Sequence, residues 1–521
     1  MGEAAAPGTG TTLLQALMRE RHLTREETIK RLERRAREMH EGDFALSLRQ
    51  FDRWLAGGVT TAPRPSTCRV VEAEFGRAIE DLLGPEGSMS RLGRRTAAFS
   101  ASADRALRTA EFVAWIAEHS EASFEDVYVA VAEETDRLAA EPAATTAARV
   151  HRAGSVARSQ IADAVAGYYR SDSLYRARIG PLELHLSIMT EPDWLGLAAP
   201  LASPDRCSWS LERVATPPVR LDPAGTRAAI TRLALAETSG TVMVNNPLYR
   251  LVAVNIRDSR MHASFVLSDF ATYALTADLL EGELVDSIVA GGRPQALREQ
   301  YLPNLASALS FGDRMCAGGP VCLVALARDA GDYALVVQDR ASDVLNVAGR
   351  LAVIPKAFHQ PIADAWAEVS IGTTLDRELE EELLGRDDLE SLVLGSHRKV
   401  APNHPSNLSD AMSWLRRNQR AYRVECTGFG VNLVTGNYEF ACLIVVEDPT
   451  WWSNYAHRVE ANWEAQRLRC VSSRDSEGLI ELAGDPRWSN EGLFAFLEGL
   501  RRLTVLDPER VPNTPIQAPL P

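Results

Sequence analysis

The longest apolar stretches of this chain, such as VCLVALA from Val321 and ACLIVV from Ala441, have the length of strands. A helix needs ~20 consecutive apolar residues to cross a bilayer. No membrane span is therefore expected, and the apolar residues must be buried in cores that the chain builds for itself. At 521 residues and ~150 residues per domain, about three or four folding units are expected. Apolar residues at 45% and charged residues at 24% exclude a mainly disordered, collagenous or coiled-coil chain. Met1 to Gly10 has neither the basic start nor the apolar segment of a secretory signal, so a cytoplasmic location is expected.

Cys68, Cys207, Cys316, Cys322, Cys426, Cys442 and Cys470 form no CxxC pair and no Cys/His spacing suited to zinc. They read as buried free thiols. The net charge of −14 is uneven: residues 1–95 hold 16 Lys/Arg against 14 Asp/Glu, and the remainder holds 40 against 56. An acidic body disfavours non-specific contact with nucleic acid, which directs any such surface to the N-terminal segment.

There, Leu13, Leu14, Leu17 and Met18 recur at helical spacing, and Thr24 with Glu27 three residues on is a capping-box pattern. Helices are expected near 11–21 and 25–39. In SLRQFDRWLAGG (47–58), Leu48, Phe51, Trp54 and Leu55 share one face and Gly57-Gly58 stops the helix. A fourth helix follows from Thr67, and 84–90 reads as a linker. "LMRERHLT" followed by "LRQFDRWLAGG" and a proline turn resembles the phage-repressor-like (XRE-type) helix-turn-helix regulators common in high-GC actinobacteria. The resemblance covers residues 11–84 and implies an all-α DNA-binding domain. Ser47, Arg49, Gln50 and Arg53 then point outward to a major groove, where Arg can take guanine or phosphate and Gln adenine. The implied partner is double-stranded DNA, and with a local charge of only +2 a homodimer is needed to accumulate phosphate contacts. The segment RRAREMHEGDFA between the second and third helices is longer than a tight turn. A docking bundle with Arg49 and Arg53 as solvated charge is the alternative.

Residues 97–311 read as a helical, then α+β middle region. They include the strand-like runs LELHLSIM, GTVMVNN, YRLVAVNI and ASFVL and the helix TRAAITRLALAE. A third region, 320–505, opens with two strands around Gly331 and closes with strands around YRVECTGFGVNLV and YEFACLIVVED and an amphipathic helix over 488–503. Residues 506–521 are proline-rich and expected to fray.

Within the third region, RELEEELLG from Arg377 to Gly385 resembles the core of the Nudix box. Arg377, Glu378, Leu379, Glu381 and Glu382 match its pattern. The resemblance implies an α/β/α domain in which Glu378, Glu381 and Glu382 converge on Mg²⁺ and Glu381 is catalytic if the domain hydrolyses its ligand. Leu375, Leu379 and Leu383, four apart, bury the other side of this helix. The box's glycines and upstream glutamate are missing or displaced: Ala363 and Val369 stand at those spacings, Glu368 is one residue early, and PKAFHQP from Pro355 replaces the glycine loop. Lys356, His359 and Arg377 are candidate ligand contacts. The alternative for the glutamate run is an exposed helix face with an Arg377–Glu381 pair. NNPLYR (245–250) with Tyr168, Tyr169, Tyr175 and Trp194 is either an aromatic pocket or core packing.

The expected protein is multidomain: an all-α helix-turn-helix domain, an α+β middle region and a Nudix-like domain. It is read as a one-component transcriptional regulator that senses a small nucleotide or phosphorylated effector and has no membrane partner. The other reading is a Mg²⁺-dependent Nudix hydrolase of a nucleoside or sugar diphosphate.

Overall fold

The computed structural model describes residues 12–20, 23–39, 46, 51, 54–55, 65–75, 79–83, 106–141, 156–171, 173–214, 219–340, 350–384, 408–459, 465–512, 516–518 and 520. The chain divides into two compact units, Met1–Leu107 and Arg108–Pro521.

In the first unit, α1 (Leu13–Glu20), α2 (Arg25–Glu38), α3 (Pro65–Phe75) and α4 (Ile79–Leu82) surround a small apolar core. The capping box forms as the sequence predicts. The Thr24 hydroxyl accepts the Glu27 N–H at 3.2 Å and the Glu27 carboxylate accepts the Thr24 N–H at 2.9 Å, satisfying two donors that a helix start leaves open. Phe51, Trp54 and Leu55 are in helical backbone and buried, as their common face requires.

Helix α5 (106–119) spans the boundary between the units, and the second unit continues with α6 (Phe124–Ala139) and α7 (Arg158–Tyr169). Strands β1 (Leu174–Ile179), β2 (Leu182–Met189), β3 (Leu195–Pro200) and β4 (Cys207–Leu211) follow. Helix α8 (Pro223–Ser239), strands β5 (Pro247–Arg257) and β6 (Arg260–Asp269), and helices α9 (Phe270–Ala274), α10 (Leu279–Val289) and α11 (Ala296–Tyr301) come next. Then come β7 (Gly318–Ala327), β8 (Tyr333–Arg340), β9 (Leu351–Val353), α12 (Ile371–Leu383), α13 (Asp410–Arg417), β10 (Tyr422–Asn432) and β11 (Asn437–Val446). The unit ends with α14 (Pro449–Tyr455), β12 (Ala465–Ser472), α15 (Ser476–Gly484), α16 (Asn490–Leu506) and β13 (Ile516–Gln517).

The main sheet runs β12-β8-β7-β11-β10-β2-β1-β13, with β3 also on β10 and β9 on β8; a smaller sheet runs β4-β6-β5. Strand alternation gives the main sheet a separate core on each face. Cys322, Val324 and Leu326 of β7 and Phe440, Cys442, Ile444 and Val446 of β11 share one core with Ile371, Leu375, Leu379 and Leu383 of α12. Val321, Leu323 and Ala325 of β7 and Ala441, Leu443 and Val445 of β11 share the other with Leu493, Phe494, Leu497 and Leu500 of α16. Each such leucine or phenylalanine contributes ~1.5–3 kcal/mol by leaving water, so helices cover the sheet on both faces.

Three expectations change. The boundary drawn between 311 and 320 does not divide the sheet, because β2 and β3, from the middle region, pair with β10 at Met189↔Val431 and Ala199↔Cys426. The tail is tied down, since β13 pairs with β1 at Ile516↔Ile179. All seven cysteines are free, but Cys470 is exposed and Cys68 only partly covered. Among the described residues, no helix is long and apolar enough to cross a membrane.

Candidate functional site

The acidic helix α12 starts at Ser370, whose hydroxyl accepts the Gly372 N–H at 3.2 Å. Leu375, Leu379 and Leu383 are buried as their spacing predicts. The opposite side is not a solvated charge face, because Arg377, Glu378, Glu380 and Glu382 are buried too. Charges can occupy such positions only with partners. Arg377 donates through Nε and Nη2 to Glu378 Oε1 at 3.2 and 2.9 Å, and through Nη1 to the Gln360 carbonyl at 3.1 Å. Glu380 accepts the Ser409 N–H at 2.9 Å and Glu382 accepts the Lys356 N–H at 3.3 Å. Glu381 is partly buried.

Among the described residues, no group of three or more His, Cys, Asp or Glu is placed to hold a metal ion. Glu378, Glu381 and Glu382 are thus not gathered into the expected Mg²⁺ site; Glu378 turns to Arg377 and Glu382 to the loop before the helix. Glu368, one residue from the position of the missing glutamate, accepts the N–H groups of Ile362, Ala363 and Asp364 at 2.7, 3.0 and 2.9 Å and so holds that loop.

The loop that carries Lys356 and His359 lies along the start of β7, through Ala357 N–H to Pro320 O at 3.3 Å and His359 N–H to Gly318 O at 2.8 Å. Gly319 permits this approach: a Cβ there would stand 2.1 Å from the Ala357 carbonyl oxygen. His359 is fully buried, its ring 4.2 Å from Tyr249 and 4.8 Å from Phe265, and Nδ1 3.4 Å from the Tyr438 hydroxyl. Burial, reinforced by the nearby Arg377 charge, pushes the imidazole down to about 3. It is a neutral core residue and not the ligand contact expected from its loop position. Arg377 likewise is spent on Glu378 and Gln360.

Lys356 joins both helix layers at this end of the sheet. Its N–H reaches Glu382 on α12, and its ammonium meets Glu491 Oε1, in the first turn of α16, at 2.5 Å. Asn432 Nδ2 donates to Glu491 Oε2 at 3.3 Å, and the Ser187 hydroxyl donates to Asn432 Oδ1 at 3.1 Å. Burial pushes the Glu491 carboxyl up, but Lys356, the helix start and Ser489 outweigh it and hold it below the ordinary value. Glu439 on β11 goes the other way. Burial and the Glu491 charge push it up to about 8 against the pull of Lys356 and Asn432. Partly buried Glu281 on α10 is pushed up to about 7, chiefly by desolvation. An ammonium–carboxylate pair beside two carboxyls that hold protons near neutrality is a polar centre able to bind or exchange protons.

Sequence reading missed Glu491, Asn432 and Glu439. The segment Ser489-Asn490-Glu491 carried an N-cap signal for Glu491; nothing local marked the other two. Ser47, Arg49, Gln50 and Arg53 lie outside the described residues. Tyr175 and Trp194 prove to be core: Tyr175 packs edge-on against Phe494 at 4.9 Å and donates to Glu498 at 2.7 Å, and Trp194 packs on Phe429 at 4.9 Å. Compared with known proteins, the chain matches no family model and no curated protein.

Proposed function

We propose that the chain is a one-component transcriptional regulator. Its N-terminal unit binds double-stranded DNA as a helix-turn-helix, and its second unit, built on a Nudix-like core, senses a small nucleotide or phosphorylated ligand. The observation that carries the sensing role is the bonding of α12: Glu378 and Glu382 already have protein donors in Arg377 and the Lys356 N–H. The helix keeps the pattern of the Nudix box as internal structure, which favours binding over turnover. The DNA-binding role is supported by the burial of Phe51, Trp54 and Leu55, the apolar face that the sequence pattern sets against the polar positions of this segment. Coupling requires the ligand to prefer one arrangement of the DNA-binding heads, and a homodimer supplies two heads.

The test is binding of the full chain to DNA from upstream of its own gene, followed by fluorescence anisotropy at two salt concentrations. Arg49→Ala should weaken binding by about 1–3 kcal/mol if the side chain contacts a base. Equal affinity of variant and wild type across sequences would remove this helix from the DNA-reading role.

A further inference from the structure

A line of hydrogen-bonded polar side chains crosses one face of the smaller sheet. The register sets Ser208 of β4 opposite His262 of β6 and Ser210 opposite Ser264, and alternation puts all four, with Glu212, on the same side of the strands. Ser208, His262 and Glu212 are exposed, Ser210 is half-buried and Ser264 is buried. The Ser208 hydroxyl lies 2.9 Å from His262 Nδ1, and His262 Nε2 lies 3.3 Å from the Ser264 hydroxyl. The Ser210 hydroxyl is 2.9 Å from the Ser264 oxygen and 2.9 Å from Glu212 Oε1.

Glu212 gives this line a direction. A carboxylate only accepts, and a hydroxyl has a single proton to give. Ser210 therefore donates to Glu212, its own oxygen accepts from Ser264, and the Ser264 oxygen accepts from His262. In the neutral ring the proton sits on Nε2, which leaves Nδ1 able only to accept. Its partner is the Ser208 hydroxyl. A nucleophile in reach of a base that further groups orient is the arrangement of covalent acyl transfer, and here two serines carry the orienting effect of the carboxylate to the ring. β4 is the edge strand of this sheet. Met261 N–H donates to Arg206 O and Glu212 N–H to Phe265 O, so by strand parity the Trp209 N–H points away from β6. It is the backbone donor nearest a carbonyl held at Ser208. Arg257 and Arg260 face each other across β5 and β6, two positions along from His262 on the same side. Both are exposed, and neither has a carboxylate partner among the described residues.

We propose that this face is an acyl-transfer site that hydrolyses a carboxylic ester bearing an anionic group, with Ser208 as nucleophile and His262 as base. Ser208 Oγ attacks the carbonyl carbon as its proton passes to His262 Nδ1, and the Trp209 N–H meets the oxyanion of the tetrahedral adduct. Collapse breaks the bond to the alcohol oxygen, which leaves with the proton from His262. Water then attacks the acyl-serine and gives a proton to His262, and the acid departs as Ser208 Oγ takes that proton back. Arg257 and Arg260 attract the anionic group; Ser264, Ser210 and Glu212 are positioning residues. The site involves neither the N-terminal unit nor α12, so it stands or falls apart from the regulatory reading.

The experiment uses the full chain. Release of nitrophenolate is followed from p-nitrophenyl acetate and from p-nitrophenyl hydrogen succinate, which carries a carboxylate, and phenylmethanesulfonyl fluoride serves as a covalent probe whose adduct is located by peptide mass spectrometry. The succinate ester should be hydrolysed faster, and the adduct should fall on Ser208. Ser208→Ala should abolish both signals, and His262→Gln should lower turnover by about a hundredfold or more. These side chains are exposed, so the thermal unfolding midpoint should hold. Glu212→Gln separates the relay from a merely structural role, because an amide can donate as well as accept and no longer enforces the Nε2–H form. The ring-nitrogen chemical shifts of His262 should then move toward a mixture of tautomers, with turnover down roughly threefold to tenfold, the scale of one hydrogen bond. A folded wild type no faster than Ser208→Ala on either ester, an adduct only elsewhere than Ser208, or ring shifts unchanged in Glu212→Gln would overturn the proposal, and equal rates on the two esters would remove the anionic preference.

Discussion

Glu439 and Arg377 show what burial demands of single residues. An unfolded Glu439 loses its proton near 4.5, whereas the folded one keeps it to about 8. Between those values the folded state binds the extra proton, so stability falls as pH rises through the window and levels off above it. Glu439→Gln removes that dependence. Relative to wild type, the variant should match at pH 4.5 and gain with pH, reaching a few kcal/mol at most by pH 8, at roughly 1.4 kcal/mol per unit of pKa difference. Urea unfolding across this range measures it, and a gap that does not change with pH would refute the assignment. Arg377 holds Glu378 and the Gln360 carbonyl from a position 2% exposed. Arg377→Met should cost about 3–5 kcal/mol, and Arg377→Lys, which keeps the charge but loses the fork, less. A loss under ~1 kcal/mol for Arg377→Met would make the pair dispensable. Residues whose role is set by helical spacing were legible in the sequence, as Phe51, Trp54, Leu375 and Leu383 show. His359 was not, because its neighbours Tyr249, Phe265 and Tyr438 come from three other strands.

At the scale of elements, the same distinction separates what repeats locally from what pairs at a distance. Helix α12 and the long strands β7 and β11 could be recognised from their own residues. The membership of β2 and β3 in the main sheet could not, since their partner β10 lies more than two hundred residues away along the chain. The polar centre has the same origin: Lys356 and Glu491 are 135 positions apart and meet because β7 and α16 bring their ends together. Gly319 is the hinge of that arrangement, for a Cβ would stand 2.1 Å from Ala357 O and 2.8 Å from His359 N, both backbone atoms. Neither can rotate away as a side chain would. Gly319→Ala should therefore displace the loop that places Lys356 and cost at least the ~1–3 kcal/mol of an overpacked core. Thermal unfolding of the full chain checks the stability. An unshifted midpoint would show that the loop can yield.

For the whole molecule, the division of charge and the division of structure fall in nearly the same place. Residues 1–95 carry +2 and the remainder −16, and the compact units meet at Leu107 and Arg108. Under the proposed regulatory reading, the acidic charge of the second unit disfavours non-specific contact with DNA, and the ligand would act through linkage. If the second unit is a sensor, nucleoside or sugar diphosphates should bind without being hydrolysed. Bound ligand should then change DNA affinity by the same factor by which DNA changes ligand affinity. If it is a hydrolase, phosphate-containing products should appear with Mg²⁺ or Mn²⁺ and vanish on Glu381→Gln, since losing a carboxylate weakens any metal that activates water. The bonding of Glu378 and Glu382 to protein donors leads us to expect no turnover by either protein. A screen of diphosphates with both metals, wild type beside Glu381→Gln, reads the two outcomes in one assay. Robust turnover by the wild type alone would establish the hydrolase instead.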